Sequence, residues 1–258
     1  MNIKIPELSL VVLIGASSSG KSTFARKHFK STEVISSDGC RALVADDESA
    51  LDVNKEAFDL VHTIASTRLA LRRIAVIDAT NVQRDARKPL LAVAKENDIL
   101  ALAIVFDMPE SVMQERSRHR PDRDMEPHVI RNQSNQLRRS IRNLQREGFR
   151  YVHVLKSQAE IDKVVIERQR LWTDRREEHG PFDIVGDVHG CHEELSELLG
   201  ALGYIVEGEA YEHPDGRKVI FLGDLVDRGP AIAAVLRTAM AMVKAGAALA
   251  VPGNHDVS

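Results

Sequence analysis

The sequence predicts two α/β units in tandem, the first a parallel sheet with helices on both faces. Three observations predict this. Short apolar, β-rich runs alternate with amphipathic stretches of helical period, as in sheets covered on both sides. A glycine-rich phosphate-loop pattern stands where the first such run meets the first helix. A polar, charged stretch, "RLWTDRREEHGP", interrupts the alternation, which then begins again.

The opening, "MNIKIPELSLVVLIG", has no small-residue cleavage site and leads into a glycine loop, so it reads as a first core strand. Further strands are expected in "TEVISS", "RIAVIDA", "LALAIVFD" and "RYVHVL", with helices at about 21–29, 54–73, 84–97 and 109–119. Ala86, Leu90, Val93 and Ala94 show the helical spacing in the third. Residues 127–147 read as one helix with an Arg-rich face, and "SQAEIDKVVIERQ" as a last helix with a Ser N-cap. The first domain is thus placed at 1–170, a linker at 171–180 and a second domain at 181–258. There the order is strand "FDIVGDVHG", helix "HEELSELLGALG", a hairpin around "HPDG", strand "KVIFLGD", helix "AIAAVLRTAMAMVKAG" and strand "ALAVPGNHD".

Composition bounds the class. The chain has 258 residues, 43% of them hydrophobic, and a net charge of -3, which is the make-up of a globular protein. No apolar run approaches the roughly 20 residues that cross a membrane. Cys40 and Cys191 form no CxxC pair, which favours a reducing, cytoplasmic setting over a disulfide framework or a thiolate zinc site. Between Arg116 and Arg150 stand ten Arg, no Lys and four acidic residues. Such a basic segment suits fork-like contact with phosphates or a polynucleotide.

"GASSSGKST" matches G-x-x-x-x-G-K-[ST]: Gly15, Ala16, Ser17, Ser18, Ser19, Gly20, Lys21 and Ser22, with Thr23 next. Its backbone N–H groups can cradle the phosphates of ATP, Lys21 can reach the β/γ oxygens and Ser22 can take Mg²⁺. In "EVISSDGCR", Asp38 follows a strand on the same sheet edge, where a carboxylate can take the proton of an attacking hydroxyl; it could equally cap the next helix. Arg41, three residues on, shares its face and can hold a phosphate of the acceptor, or can be a surface Arg paired with Asp46 or Asp47. Asp78 in "VIDATN" is either a carboxylate behind magnesium or a turn cap. Arg116 and Arg120 lie four apart on one helix, followed by Arg123; arginines closing over a triphosphate stabilise the transferring group.

Together "IPELSLVVLIGASSSGKSTFARKHF", "EVISSDGCR", "DATN", "ERSRHRPDR" and "LQREGFRYV" resemble the P-loop kinase module of bacterial polynucleotide kinase-phosphatases, enzymes of RNA repair. The resemblance implies ATP·Mg on Lys21 and Ser22, Asp38 as general base for a 5′-OH end, Arg41 on the acceptor nucleotide's phosphate, and Arg116 and Arg120 in a lid. It also implies RNA with 5′-OH ends as substrate and an RNA ribose methyltransferase as partner. A small-molecule P-loop kinase and a non-catalytic, NTP-regulated RNA-binding module are the alternatives.

"GDVHG", "GDLVDRG" and "GNHD" each end an expected strand, and in this order they resemble the calcineurin-like metallophosphoesterases. By that resemblance Asp187 and His189, alternating along an extended stretch, face one metal; Asp224 bridges two; and Asn254 offers an amide oxygen to the second. Such donors suit Mn²⁺, Ni²⁺ or Fe. Arg228 would grip the phosphate, and His255, oriented by Asp256, would protonate the leaving oxygen. Family members supply three further His ligands downstream, whereas this sequence ends at Ser258. The sequence therefore reads as a whole kinase joined to the N-terminal part of a metallophosphoesterase fold. In that part the 3′/2′-phosphatase activity is expected to be lost and the apolar faces of "VIFLGD" and "ALAV" left uncovered.

Overall fold

The computed structural model describes residues 2–119, 126–171 and 173–257. The chain divides into two compact units, residues 1–174 and 175–258.

In the first unit, β1 (Asn2–Pro6) stands outside a five-stranded parallel sheet. The sheet has β2 (Leu10–Gly15) at its centre, flanked by β4 (Ala75–Asp78) and β5 (Ala101–Phe106), with β3 (Val34–Ser36) and β6 (Tyr151–Leu155) at the edges. Every residue of β2, β4 and β5 is buried, as a strand covered on both faces requires. Alternation sorts β2 into two cores. Leu10, Val12 and Ile14 pack with Val61 and Leu69 of α3 (Asn54–Ala70) and Leu90 of α4 (Arg84–Glu96). Val11 and Leu13 pack with Phe24 of α1 (Lys21–His28) and Met113 of α5 (Glu110–Arg118). Each such aliphatic side chain contributes about 1.5–3 kcal/mol when fully buried. α6 (Pro127–Ser140) draws on both cores: Ile130 belongs to the second and Leu137 to the first.

Three expectations are corrected. The opening segment makes two strands, because Glu7–Ser9 break the run and the Ser9 hydroxyl donates to the Pro6 carbonyl at 2.9 Å. "SQAEIDKVVIERQ" is helical only at α8 (Gln158–Asp162); its β-branched half is β7 (Val165–Gln169), paired in parallel with β1 from Asn2↔Val165 to Pro6↔Gln169. Residues 127–147 are not one helix. α6 ends at Ser140, whose hydroxyl bonds back to Leu137 O at 3.0 Å; a 3-10 turn at Ile141–Asn143 then leads to the short α7 (Leu144–Glu147).

In the second unit, β8 (Phe182–Val185), β11 (Lys218–Phe221) and β12 (Ala248–Ala250) form a parallel sheet with β11 central. α9 (His192–Ala201) and α10 (Ile232–Ala245) cover one face through Leu195, Leu199, Val235 and Met242, packed with Val219 and Phe221. Ile184, Leu222 and Val251 are exposed. The hairpin lies one step before "HPDG": β9 (Ile205–Glu207) pairs with β10 (Ala210–Glu212) around Gly208, whose φ of 65° suits a tight turn. Among the described residues no helix is long and apolar enough to cross a membrane.

Candidate active sites

β2 runs straight into the phosphate loop, and α1 starts at Lys21. Gly20 holds φ 99° before that helix, a conformation that only glycine adopts without strain. Lys21 is buried, its Nζ donating to Gly15 O and Ala16 O, each at 2.9 Å. The loop's Ser17 N–H is taken by Gln133 Oε1 of α6 at 2.8 Å.

A cavity of about 500 Å³ opens at this edge of the sheet; Ser17, Lys21 and Ser22 line it together with Asp38, Arg41 and Asp78. Asp38 lies in the first turn of α2 (Ser37–Ala45), but the cap is Ser36, whose hydroxyl accepts Gly39 N–H, so the capping alternative for Asp38 falls. Arg41 is not a surface residue. It is buried, ion-paired with Asp38, and donates to Glu48 O at 2.8 Å and Asn54 Oδ1 at 2.9 Å. Asp78 ends β4, buried on the cavity wall.

A second cavity of about 390 Å³ lies against the loop, sharing Ser18, Gly20 and Thr23 with the first. Arg116 lines it, bonded to Gln158, with Nη1 3.4 Å from where a Cβ on Gly20 would stand. Arg120 and Arg123 lie outside the described residues. Among the described residues of the basic segment, Arg138 is drawn to Asp107 at 3.3 Å and Glu110 at 3.5 Å, and Arg131 to Glu110 at 3.7 Å.

In the second unit the three motifs converge on the loops after β8, β11 and β12. His189, Asp224 and His255 bring one ligand atom each within 4.8 Å of one another. His189 has φ 47°, so the expected extended stretch is a turn; Asp187 still reaches to 3.8 Å from its Nε2. Asp224, Asp227 and Arg228 also have positive φ, a concentration of unfavourable backbone that marks functional loops. Gly223 and Gly253 stand so close that a Cβ on Gly223 would collide with the Gly253 backbone. Asn254 and Arg228 are exposed. The carboxylate that holds His255 is Asp227, Oδ2 to Nδ1 at 2.9 Å, not Asp256. Asp256 instead accepts the backbone N–H of Leu225 at 3.0 Å and of Gly253 at 2.8 Å, and its carboxyl stays below the usual range because backbone N–H groups outweigh burial, the largest single influence, which pushes it up.

The AAA domain family model matches residues 10–146, more than half of the chain. The chain belongs to the AAA domain family. The calcineurin-like phosphoesterase model matches residues 180–258 beyond this AAA domain. The chain is 55% identical over 74 residues to bis(5′-nucleosyl)-tetraphosphatase PrpE of Halalkalibacterium halodurans, and 42% identical over 74 residues to PrpE of Bacillus subtilis. These stretches cover 29% of the chain and 30% of each relative's length. Among solved structures, a chain of the Pnkp1/Rnl/Hen1 RNA repair complex is 17% identical with a TM-score of 0.45, covering 97% of this chain and 81% of that one. Chaetomium thermophilum Kti12 in complex with ADP-AlF3 is 20% identical with a TM-score of 0.42, covering 60% and 94%.

The chain therefore joins a P-loop kinase-like AAA domain to a calcineurin-like phosphoesterase domain. In the AAA domain, the Ser22 hydroxyl and the Asp78 carboxylate, which both belong to residues lining one cavity, are hard oxygen donors that fit Mg²⁺. In the phosphoesterase domain His189 Nδ1 bonds Val226 O at 2.9 Å, and the buried Nε2 has no hydrogen-bond partner among the described residues. That nitrogen beside Asp224 fits a divalent transition metal. Two site residues were not read from the sequence. Asp227 had a signal, being the second Asp of "GDLVDRG"; Gln133 had none, since a Gln within an Arg-rich helix looks like a solvated one.

Proposed function

We propose that the AAA domain transfers the terminal phosphoryl group of ATP to the 5′-hydroxyl end of a polynucleotide, RNA or DNA. The observation that carries this reading is the single cavity in which Lys21 and Ser22 stand with Asp38 and the buried Arg41. The loop amides and Lys21 hold the β- and γ-phosphates. Ser22 and Asp78 would hold Mg²⁺, which would supply neutralisation of phosphate charge. Asp38 takes the proton of the acceptor hydroxyl as its oxygen bonds to the γ-phosphorus. The bond from that phosphorus to the bridging oxygen breaks, and ADP leaves with the electron pair. Arg41 engages three of its roughly five N–H donors in the protein, which fixes Asp38 and leaves donors for an acceptor phosphate. Arg116, over Gly20, steadies the phosphates from the other cavity. The sequence resemblance adds Arg120 to the same lid, and Arg123 is assigned to the substrate; both lie outside the described residues.

The deciding experiment compares ATP turnover alone, with 5′-OH oligonucleotides, and with gluconate or nucleosides. Labelled phosphate on the oligonucleotide end supports the reading. Transfer to a small acceptor alone would favour the small-molecule kinase, and binding without turnover an RNA-binding module. An RNA ribose methyltransferase as partner rests on the sequence resemblance and is tested by co-purification.

A second reading concerns the phosphoesterase domain. The likeness to PrpE supports hydrolysis of a bis(5′-nucleosyl)-tetraphosphate as a rival to the 3′/2′-phosphatase, with Asp187, His189, Asp224 and Asn254 toward Mn²⁺ or Ni²⁺, Arg228 toward the phosphate and His255 as proton donor. Assaying both substrates with either metal separates them, and turnover of neither is the outcome that the expected loss of this activity requires.

A further inference from the structure

We propose that Gln133 contacts the transferring phosphoryl group from the acceptor side, so that the Arg-rich helix α6 takes part in the phosphate site itself. This rests on the kinase reading above. The two cavities beside the loop share Ser18, Gly20 and Thr23 but differ at their far walls. Arg116 and Lys27 line only the smaller one, whereas Ser17, Gln133, Asp38 and Arg41 line only the larger. A nucleotide lying along the loop, its nucleoside toward the smaller cavity, points its terminal phosphate into the larger one, toward Asp38. Gln133 is already at that end. Its Oε1 holds Ser17 N–H at 2.8 Å.

Amide chemistry fixes the rest. A backbone N–H can be accepted only by the oxygen of the side-chain amide, so the nitrogen, with its two donors, is the remaining end of a residue that lines the cavity. That nitrogen donates to an oxygen of the terminal phosphate while Oε1 stays on Ser17. The helix is braced for the task. Ile130, Ser134 and Leu137, on the same face as Gln133, are buried, and Arg138 ties α6 to Asp107 and Glu110 at the start of α5.

The test uses the full chain with Gln133→Ala and Gln133→Glu. The Glu variant keeps an acceptor for Ser17 N–H but replaces the donors by negative charge. Affinities for ATP·Mg and ADP·Mg are measured by equilibrium titration, with the melting temperature as control. Both variants are expected to lose ATP affinity relative to ADP affinity by about tenfold or more and to transfer phosphate roughly 10- to 100-fold more slowly, with melting close to wild type. Parallel loss of ATP and ADP affinity, or full transfer by Gln133→Glu, would overturn the proposal and leave Gln133 a brace for the loop. A wild-type chain that binds ATP·Mg but phosphorylates no 5′-hydroxyl end would sink the polynucleotide reading alone, and the ATP-to-ADP ratio of the variants would still decide Gln133.

Discussion

Asp38 and Arg41 are one turn apart on α2 and ion-paired, so the expected base and the expected phosphate holder form a single unit. Asp38→Asn keeps an oxygen for Arg41 and removes the base. It is expected to slow transfer by about 10²–10⁴-fold while ATP binding stays close to wild type. Lys21→Ala is expected to lose both. Titration of nucleotide alongside end-labelling of an oligonucleotide checks the pair; near wild-type transfer by Asp38→Asn at neutral pH would refute the base assignment. In the phosphoesterase domain the His255 contact expected of Asp256 belongs to Asp227, and Asp256 holds backbone N–H groups instead. Asp256→Ala strands the N–H groups of Leu225 and Gly253 and is expected to cost about 1–3 kcal/mol in denaturant unfolding. Asp227→Asn keeps a residue that tolerates the positive φ, alters one exposed contact and is expected to stay within about 0.5 kcal/mol.

At the scale of elements, α4 and α7 are locked by Arg87. It is fully buried, gripping both Glu147 oxygens at 2.8 and 2.7 Å and Asn81 O at 2.8 Å. Asn81 in turn donates to Leu13 O of β2 at 2.9 Å. The "DATN" loop beside the cavity is thus tied to the end of the basic segment. Arg87→Met leaves a buried carboxylate unpaired and is expected to cost about 3–5 kcal/mol, whereas Arg87→Met with Glu147→Leu should recover most of the loss. A double-mutant cycle by denaturant unfolding measures this; equal loss in single and double variants would contradict it. The lock also accounts for α7 as a separate piece, since Glu147 must meet Arg87 rather than continue the axis of α6.

For the AAA domain as a whole, protonation sets an acid limit. His28, His62 and His153 each bury an Nε2 that has no hydrogen-bond partner among the described residues, and burial, first among the causes, holds each below its usual pKa of 6.5. The unfolded chain takes up protons from pH 6.5 downward that the fold resists. Stability from these groups is therefore whole above pH 6.5 and is lost as pH falls through their lowered values. Glu33, held down mainly by its bond to Arg168, acts with the same sign at lower pH, below its usual 4.5. Thermal unfolding of the full chain should be flat from about pH 8 to 7 and fall steadily below 6.5, with a shallower fall in His153→Gln. A melting temperature that rises on acidification would contradict this.

What was legible in the sequence was local. The loop from Gly15 to Ser22, the strand ends carrying Asp38, Asp187 and Asp224, and the parallel sheet covered on both faces all follow from short-range pattern, because phosphate loops and strand-end turns need particular residues at fixed spacing. What only the tertiary structure decided joins distant segments. "VVIERQ" is a strand because Asn2–Pro6 lies beside it, a pairing that no helical or strand period within the segment announces. Gln133 belongs to the phosphate loop although 116 positions separate it from Ser17. His255 turns to Asp227 rather than to its neighbour Asp256 because the latter is consumed by backbone N–H groups of two loops. Spacing along the chain names the chemistry, but which partner satisfies each buried polar group is settled only when the packed chain brings the candidates together.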